Sequence, residues 1–281
     1  MRVTRSIFNV LLVAMVLAAF GCAHRIVRVS DNTEVPLEEF VERIKGVAVV
    51  FAGELHDKKS HHKLQLDIIR ALNEAGEDVA VGVEMFPKDK QPDLDRWIYG
   101  SMGEDEFREV YAENWKIPWP KYRDIFLYAK EQRLPVVALN VPRSLIHQVF
   151  TKGIGSLTEE QLAELPPDVK CDVDSEYEEF IKEAMGEHEE MGEEAFNKFC
   201  EAQMVWDAAM AKSVIDYMEK NPGKKMVVLA GSGHSWKRGI PGQMERLSGL
   251  DYLVILPDVS DFDSFSVTTK DADYIWTGWF Y

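Results

Sequence analysis

The stretch GVAVVFAGELHD, residues 46–57, decides the fold. Its first half is a continuous apolar run, which is typical of a β-strand that is buried on both faces. Its second half turns polar at Glu54, His56 and Asp57, so charged groups stand at the end of that strand. Strands of this kind lie inside parallel sheets that helices cover on both sides.

Similar apolar runs recur along the chain, at residues 79–83, 135–139, 226–230 and 252–256. Segments with apolar residues at helical spacing lie between the first three runs, at residues 58–75, 94–114 and 122–132. This alternation predicts an α/β fold with a mostly parallel β-sheet flanked by helices. Ligands of such sheets bind at the C-terminal ends of the strands.

One long segment, about residues 157–218, departs from the alternation because it has no strand-like run and is rich in glutamate. We predict that it forms two or three helices inserted between the third and fourth predicted strands. The glutamates are expected to form a solvated face. The methionines and aromatic residues among them are expected to pack in the core, and they can also cap the sheet as a lid.

The first 21 residues are typical of an export signal peptide. Arg2 and Arg5 precede an apolar run that is too short to span a bilayer comfortably, and small residues lead to Cys22. The ending resembles a bacterial lipoprotein signal, in which the cysteine carries lipid such as palmitate. Ala19 stands where such signals usually have leucine, so ordinary secretion with cleavage nearby is the alternative. We expect a signal peptide over 1–21, a lipidated Cys22 with an irregular tether over 22–35, and one domain over 36–281.

Charge and cysteine content narrow the location and the partners. The chain carries −16, and loss of Arg2 and Arg5 with the signal gives about −18, which argues against nucleic acid as a partner. Residues 23–24 lack the aspartate that often retains lipoproteins at the inner membrane. We therefore expect a lipid-anchored protein of the cell envelope, on the outer membrane and facing the periplasm. Cys171 and Cys200 form an even pair in a compartment that permits disulfides, and the sequence leaves their pairing open.

Polar side chains follow four of the predicted strands at the point where each strand ends. Because the C-terminal ends of parallel strands meet at one sheet edge, we expect these side chains to form one site. Burying them together costs free energy unless a ligand, a metal or mutual pairing compensates. The candidate residues are Glu54, His56, Glu84, Asn140, Arg143 and His234, with His62 and Gln65 on one face of the following helix.

Carboxylates and imidazoles in one place suit a divalent metal such as Zn²⁺, Mn²⁺ or Fe²⁺, with His56 and His234 as its candidate ligands. The sequence has no Gly-x-Ser-x-Gly elbow, Walker loop or dinucleotide-binding fingerprint. Serine hydrolysis and nucleotide binding are therefore not indicated.

Several sequence blocks extend this pattern, namely residues 53–57 with 61–65, 83–86, 140–143, 203–211, and 231–234 with 239–241. Together, from about residue 40 to 255, they resemble the ChaN-like haem-binding lipoproteins of the Tiki superfamily. The resemblance implies bound haem, lipid attachment, a homodimer and a role in haem or iron acquisition with an uptake receptor or transporter. It also adds Gln203 and Asp207 to the candidate pocket.

Haem iron takes His, Met, Tyr or Cys as its protein ligand. We predict His188 as that ligand, with Met185 and Met191 packed on the ring, because the three residues share one helix face. Tyr177 is a second candidate ligand. The alternative is that His188 is a surface residue of an acidic helix.

Three functions stay open at this point. The first is a haem carrier rather than an enzyme. The second is a metal-dependent protease or esterase of the Tiki superfamily that uses Glu54, His56, Glu84 and His234. The third is a structural lipoprotein whose pocket binds neither haem nor metal.

Overall fold

One eight-stranded sheet runs through the computed structural model, which describes residues 24–184, 192–258 and 267–278. The strands in chain order are β1 His24–Arg28, β2 Thr33–Val35, β3 Val49–Glu54, β4 Val79–Pro87, β5 Val136–Asn140, β6 Lys225–Gly231, β7 Tyr252–Pro257 and β8 Tyr274–Gly278. Across the sheet their order is β2-β1-β8-β7-β3-β6-β4-β5. The strands from β8 to β5 are parallel to one another, and β1 pairs antiparallel with both of its neighbours, β2 and β8.

Helices pack on both faces of this sheet. Within the described ranges they are α1 Leu37–Lys45, α2 Lys59–Glu74, α3 Gln91–Tyr99, α4 Glu104–Asn114, α5 Arg123–Gln132, α6 Arg143–Lys152, α7 Glu159–Ala163, α8 Ser175–Ala184, α9 Glu193–Lys220, α10 Ser232–Ser235 and α11 Ile240–Leu247. Side chains of β3 alternate between two cores, because neighbouring residues of a strand point to opposite faces. Val50 packs with α1 to α5, whereas Phe51 packs with α9 and α11.

The predicted fold class is confirmed. All five predicted runs are strands, and the parallel strands end at one side of the sheet, which we call the carboxyl edge. The predicted insertion is also helical, since α7, α8 and α9 lie between β5 and β6. The predicted helix over 94–114 is instead two helices, α3 and α4. Gly100 ends α3, where a Cβ atom would lie 2.6 Å from the carbonyl oxygen of Arg96.

The prediction of an irregular tether over 22–35 is wrong for most of its length. Residues 24–28 form β1, which pairs with β8, and residues 33–35 form β2. These strands escaped the sequence pattern because they are short and polar and pair at the sheet edge rather than in its centre. The signal peptide, Cys22 and the segment with Met185, His188 and Met191 lie outside the described residues. No helix in the described ranges is both long and apolar enough to cross a bilayer.

A disulfide joins Cys171, in the loop before α8, to Cys200 on α9, with the two Cα atoms 5.5 Å apart. The bond closes a loop of 29 residues that contains α8. It therefore fixes the start of α8 against the long helix α9.

Replacing both cysteines with alanine should lower the free energy of unfolding by about 2–4 kcal/mol, because the open loop gains conformational entropy in the unfolded chain. Urea denaturation of the oxidised protein and of the double variant measures this difference. Reductant should lower the stability of the parent protein and leave that of the variant unchanged. Equal stability of the two proteins under oxidising conditions would contradict the role of the bond.

Candidate functional site

The polar residues predicted at the strand ends do come together. β3, β6, β4 and β5 are consecutive in the sheet, so their last residues meet at the carboxyl edge. The register pairs Glu54 at the end of β3 with Gly231 at the end of β6. Glu84 lies near the end of β4, and Asn140 ends β5.

The carboxylate of Glu54 is buried and surrounded by hydrogen-bond donors. His56 Nδ1 lies 2.6 Å from Oε1, which also accepts the hydroxyl of Tyr122. Gln65 Nε2 donates to Oε2 at 2.8 Å, and His62 Nε2 lies 3.4 Å from the same oxygen. Burial raises the pKa of Glu54, but the hydrogen bond from His56 and the nearby imidazole of His62 outweigh it and hold the pKa below its usual range. Glu54 is therefore ionised, and His56 Nδ1 carries the proton.

Glu84 joins the ends of three strands. Its Oε2 accepts the backbone N–H of Gly231 at 2.7 Å, and its carbonyl oxygen accepts the side-chain amide of Asn140 at 2.9 Å. A Cβ atom at Gly231 would lie 3.0 Å from His56 Nε2. Glycine at this position thus lets His56 approach the strand end closely.

His234 repeats the pairing of His56 on the neighbouring strand. Its Nδ1 lies 2.6 Å from Asp207 Oδ1, and its Nε2 lies 3.8 Å from Glu84 Oε1. Tyr177 donates its hydroxyl to Asp207 at 3.2 Å. Burial lowers the pKa of His234, but the charges of Asp207 and Glu84 outweigh burial and raise it to about 9.

The two imidazoles flank Glu84, and the pKa of each is raised above its usual value. Burial also lowers the pKa of His56, but its hydrogen bond to Glu54 and the charge of Glu84 leave that pKa raised. The ring of His56 packs against the edge of Trp115 with centroids 4.9 Å apart. Each imidazole is fixed through Nδ1 by a buried carboxylate, and each directs its other side toward Glu84.

A cavity of about 450 Å³ opens above these groups, between α6 and α9. Its volume is in the range of small-molecule sites. We call His56, Glu84, Asn140 and His234 the polar floor. The walls are Arg143, Ile146, His147 and Phe150 of α6, then Phe199, Ala202, Gln203 and Trp206 of α9, and Trp115. Because both helices contribute residues three, four and seven positions apart, one face of each helix lines the cavity.

The rim on α6 is amphipathic. Phe150 is 42% exposed, and its ring lies 5.9 Å from that of Phe199. The guanidinium of Arg143 lies 5.6 Å from the ring centre of Trp115, within the range of a cation–π contact. The cavity therefore combines aromatic walls, a cation at the rim and a charged floor.

A family model described as haem-binding uptake, Tiki superfamily, ChaN matches residues 40–244. The chain belongs to this family. The matched residues include the polar floor and the cavity walls, so the site lies within the part of the chain that the family model matches.

A solved structure gives the same fold. The structure titled "Cofacial heme binding to ChaN of Campylobacter jejuni" has a TM-score of 0.75 and 19% identity, and the match covers 92% of this chain and 98% of that one. A curated relative is the chloroplastic protein RETICULATA-RELATED 5 of Arabidopsis thaliana, which is 22% identical over 255 residues. That match covers 84% of this chain but only 34% of the plant protein, so the ChaN-family chain spans about a third of that relative.

Most of the predicted pocket residues of this ChaN-family chain lie at the cavity. His56, Glu84, Asn140, Arg143, Gln203 and His234 line it, whereas Glu54, His62, Gln65 and Asp207 lie behind and hold the lining residues in place. Tyr177 needs a correction as a haem ligand. It is 3% exposed, its hydroxyl bonds Asp207, and it is not part of the cavity wall. It positions Asp207 and, through it, His234.

The predicted metal ligands, His56 and His234, do not form part of a larger donor cluster in the described residues. Among the described residues, no group of three or more His, Cys, Asp or Glu side chains is arranged to hold a metal ion. The Nδ1 atoms of His56 and His234 are engaged by Glu54 and Asp207, and the Nε2 atoms point away from those carboxylates. Metal binding by these two histidines stays a prediction.

Other residues of the site were missed from the sequence: Trp115 lines the cavity, and Tyr122 bonds Glu54 behind it. Tyr122 and Trp115 come from a segment with no motif, and they reach the site only through packing. The α6 wall had a readable signal, because Arg143, His147 and Phe150 recur at helical spacing directly after a buried strand. Exposed aromatic and basic residues on one helix face at a strand end indicate a binding surface.

Because the pKa of His234 is raised in the folded protein, we expect the free energy of unfolding to depend on pH. Its pKa is about 9 in the folded protein and near 6.5 when unfolded, so the folded state holds the proton more tightly. The stabilisation is complete below pH 6.5 and is lost as the pH rises through 9, by roughly 3 kcal/mol. Urea denaturation at several pH values measures it.

His234→Gln should remove this part of the pH dependence, whereas His147→Gln on the exposed rim should leave it unchanged. A variant at His234 that keeps the parent's full pH profile would contradict the pairing with Asp207.

Proposed function

We propose that this protein is an exported lipoprotein that binds haem between α6 and α9 and serves haem or iron acquisition. The observation that carries the proposal is the cavity itself, whose aromatic walls meet cationic groups at the rim and floor. Membership of the ChaN family supports haem as the ligand.

The cavity suits the chemistry of haem, which is a flat, largely apolar macrocycle with two carboxylates at one edge. Phe150, Phe199 and Trp206 offer ring faces and edges to the macrocycle. Arg143 can pair with a propionate through two parallel hydrogen bonds. The cation that pairs with the propionate therefore comes from α6 and not from the glutamate-rich insertion.

Two histidines are proposed as the axial ligand. His188, with Met185 and Met191 against the ring, lies in the segment between α8 and α9. His147 is the alternative within the cavity wall, where it is exposed and lies one turn from Arg143 on α6. If His188 is the ligand, replacing His188 should remove the spectrum of histidine-ligated iron. If His147 is the ligand, replacing His147 should remove it.

Export and lipidation at Cys22 belong to the same proposal. The Cys171–Cys200 disulfide supports an oxidising compartment such as the periplasm. An outer-membrane location, a homodimer and an uptake receptor or transporter as partner rest on the signal sequence and on the family likeness.

Haemin titration of the purified protein tests haem binding. The Soret band should shift with saturation at one cavity, and Phe150→Ala should weaken binding by about tenfold, because it removes apolar contact area. Arg143→Gln should weaken it as well. The matched control is Leu162→Ala on α7, since Leu162 is 45% exposed and lies outside the cavity. Absence of a saturable Soret shift, or equal losses in Phe150→Ala and Leu162→Ala, would sink the proposal.

Hydrolysis at the polar floor is a second candidate function. It is favoured by the two imidazoles, His56 and His234, which Glu54 and Asp207 hold beside Glu84. Glu84 can accept a proton from water as the water attacks, while protonated His234 donates one to the leaving group. The metal-dependent form of this function lacks a donor set in the described residues.

A p-nitrophenyl ester, with released nitrophenolate measured by absorbance, tests this second function. Glu84→Gln should abolish turnover above background, and His147→Gln should preserve it. Turnover that survives Glu84→Gln argues against the assignment. Metal analysis of protein purified without chelator tests the metal-dependent form of hydrolysis. Under that form, the parent protein should contain bound Mn, Fe or Zn, and the His56→Ala variant should not.

A further inference from the structure

The carboxyl edge holds two units of the same construction, one behind each histidine of the polar floor. In each unit a buried carboxylate bonds the Nδ1 of an imidazole and accepts a tyrosine hydroxyl and the side-chain amide of a glutamine. The members are Glu54, His56, Tyr122 and Gln65 in the first unit, and Asp207, His234, Tyr177 and Gln203 in the second. The two units differ in what holds the tyrosine in place.

The tyrosine of the first unit belongs to the core on one face of the sheet. Tyr122 is completely buried, and its ring centre lies 3.9 Å from that of His62 and 6.2 Å from that of Tyr111. Tyr122 and Tyr111 pack in the same core as Val50 of β3. The hydrogen bond from Tyr122 to Glu54 therefore depends on packing in this core.

The tyrosine of the second unit lies on a segment that the disulfide fastens to α9. Tyr177 comes six residues after Cys171, and Cys200 comes seven residues before Asp207. Residues seven apart share one face of a helix and lie about 10.5 Å apart along its axis. The disulfide and the hydrogen bond from Tyr177 to Asp207 thus link segment 171–177 to one face of α9 at two points.

Weaker contacts join the same segment to the residues after α10. Asp174 Oδ1 accepts the backbone N–H of Tyr177 at 2.9 Å and the guanidinium of Arg238 at 3.2 Å. Because the side chain of Asp174 is 57% exposed, water screens this ion pair. The ring of Tyr177 lies 5.0 Å from that of Trp236. The disulfide is the covalent restraint among these contacts, and it keeps Tyr177 close to Asp207.

The two cysteines of the disulfide differ in accessibility. Cys200 is completely buried in α9, whereas Cys171 is half-buried in the loop before α8. An attacking thiolate therefore reaches the bond from the side of Cys171 and displaces Cys200. Where disulfides persist, as in an exported protein, opening this bond requires a dithiol reductant.

We propose that the Cys171–Cys200 disulfide is a redox latch on the cavity: a dithiol protein opens it, Tyr177 leaves Asp207, and the cavity loses affinity for its ligand. The attacking thiolate forms a mixed disulfide with Cys171, and Cys200 leaves as a thiolate that takes up a proton. The second thiol of the reductant then attacks the mixed disulfide and releases Cys171 as a thiol. The reductant gives up two electrons and ends as a disulfide, and both cysteines of the latch end as thiols.

The opened latch acts on the cavity through Asp207. Its Oδ2 accepts Gln203 at 3.3 Å as well as the hydroxyl of Tyr177, and its Oδ1 bonds His234. Both Gln203 and His234 line the cavity. Once the hydroxyl has left, water competes for the carboxylate, so these two lining residues lose their fixed positions. The loss of ligand affinity rests on the proposed haem-binding function, whereas the release of Tyr177 does not.

Nitrogen NMR of the imidazoles at one fixed pH tests the release of Tyr177. The Nδ1 signal of each histidine reports on its hydrogen bond to the carboxylate, and His234→Gln identifies the signal of His234. Complete reduction with dithiothreitol should move the Nδ1 signal of His234. The matched control is His56 in the same molecule, whose signal should stay in place because no disulfide holds the tyrosine of its unit.

Two variants separate the latch from a general effect of the reductant. Tyr177→Phe keeps the disulfide and the ring but loses the hydroxyl, so it should move the His234 signal without reductant. The double variant Cys171→Ala/Cys200→Ala should do the same. Amide exchange of residues 174–178 should be at least about tenfold faster in this double variant, because the covalent restraint is gone. Exchange in β3 should be unchanged.

An unchanged His234 signal after complete reduction would overturn the latch. Equal changes at His56 and His234 would overturn it as well, because they would indicate a general loss of structure rather than release of one tyrosine.

Haemin titration of the parent and of the double cysteine variant tests the control of the cavity without a reductant that could react with haemin. The affinity of the variant should be lower by about tenfold, as expected for the loss of about one hydrogen bond to a charged group. Equal affinity in the two proteins would refute the control of the cavity. A parent protein that binds no haemin refutes the proposed function instead, and the imidazole signals still decide whether the latch releases Tyr177.

Discussion

The ionised carboxylate of Glu54, buried at the end of β3, is the interaction on which the rest of the site depends. A charge in the protein interior is stable only when donors surround it, and here they come from the loop after β3, from α2 and from the residue before α5. Removing one partner from such a buried network costs about 3–5 kcal/mol. The end of β3 is thereby tied to both helices, and the ring of His56 has one orientation.

That orientation sets the chemistry of the cavity. His56 faces Glu84 across Gly231, and His234 faces Glu84 from the other side because Asp207 fixes it in the same way. The polar floor is rigid and charged, and it suits ion pairing or proton transfer. The walls on α6 and α9 carry the aromatic side chains of Phe150, Phe199 and Trp206. One site can therefore combine a floor that handles polar groups with walls that bind a flat apolar molecule.

The central sheet was predictable because its strands are buried on both faces and read as apolar runs. β1 and β8 were not, because Ile26 and Trp276 pair across almost the whole chain and neither strand is a plain apolar run. The floor was predictable because its residues directly follow strands. The supporting contacts of Tyr122 and the wall on α9 depend on how helices pack against each other, which local sequence does not encode.

A crystal structure of the protein grown with haemin tests the central claim most directly. The account predicts that the porphyrin lies in the cleft between α6 and α9, against Phe150 and Phe199, with a propionate at Arg143 and with Glu54, His56 and Glu84 in the arrangement described above. Porphyrin bound elsewhere on the chain, with the cleft empty and the polar floor unchanged, would contradict it.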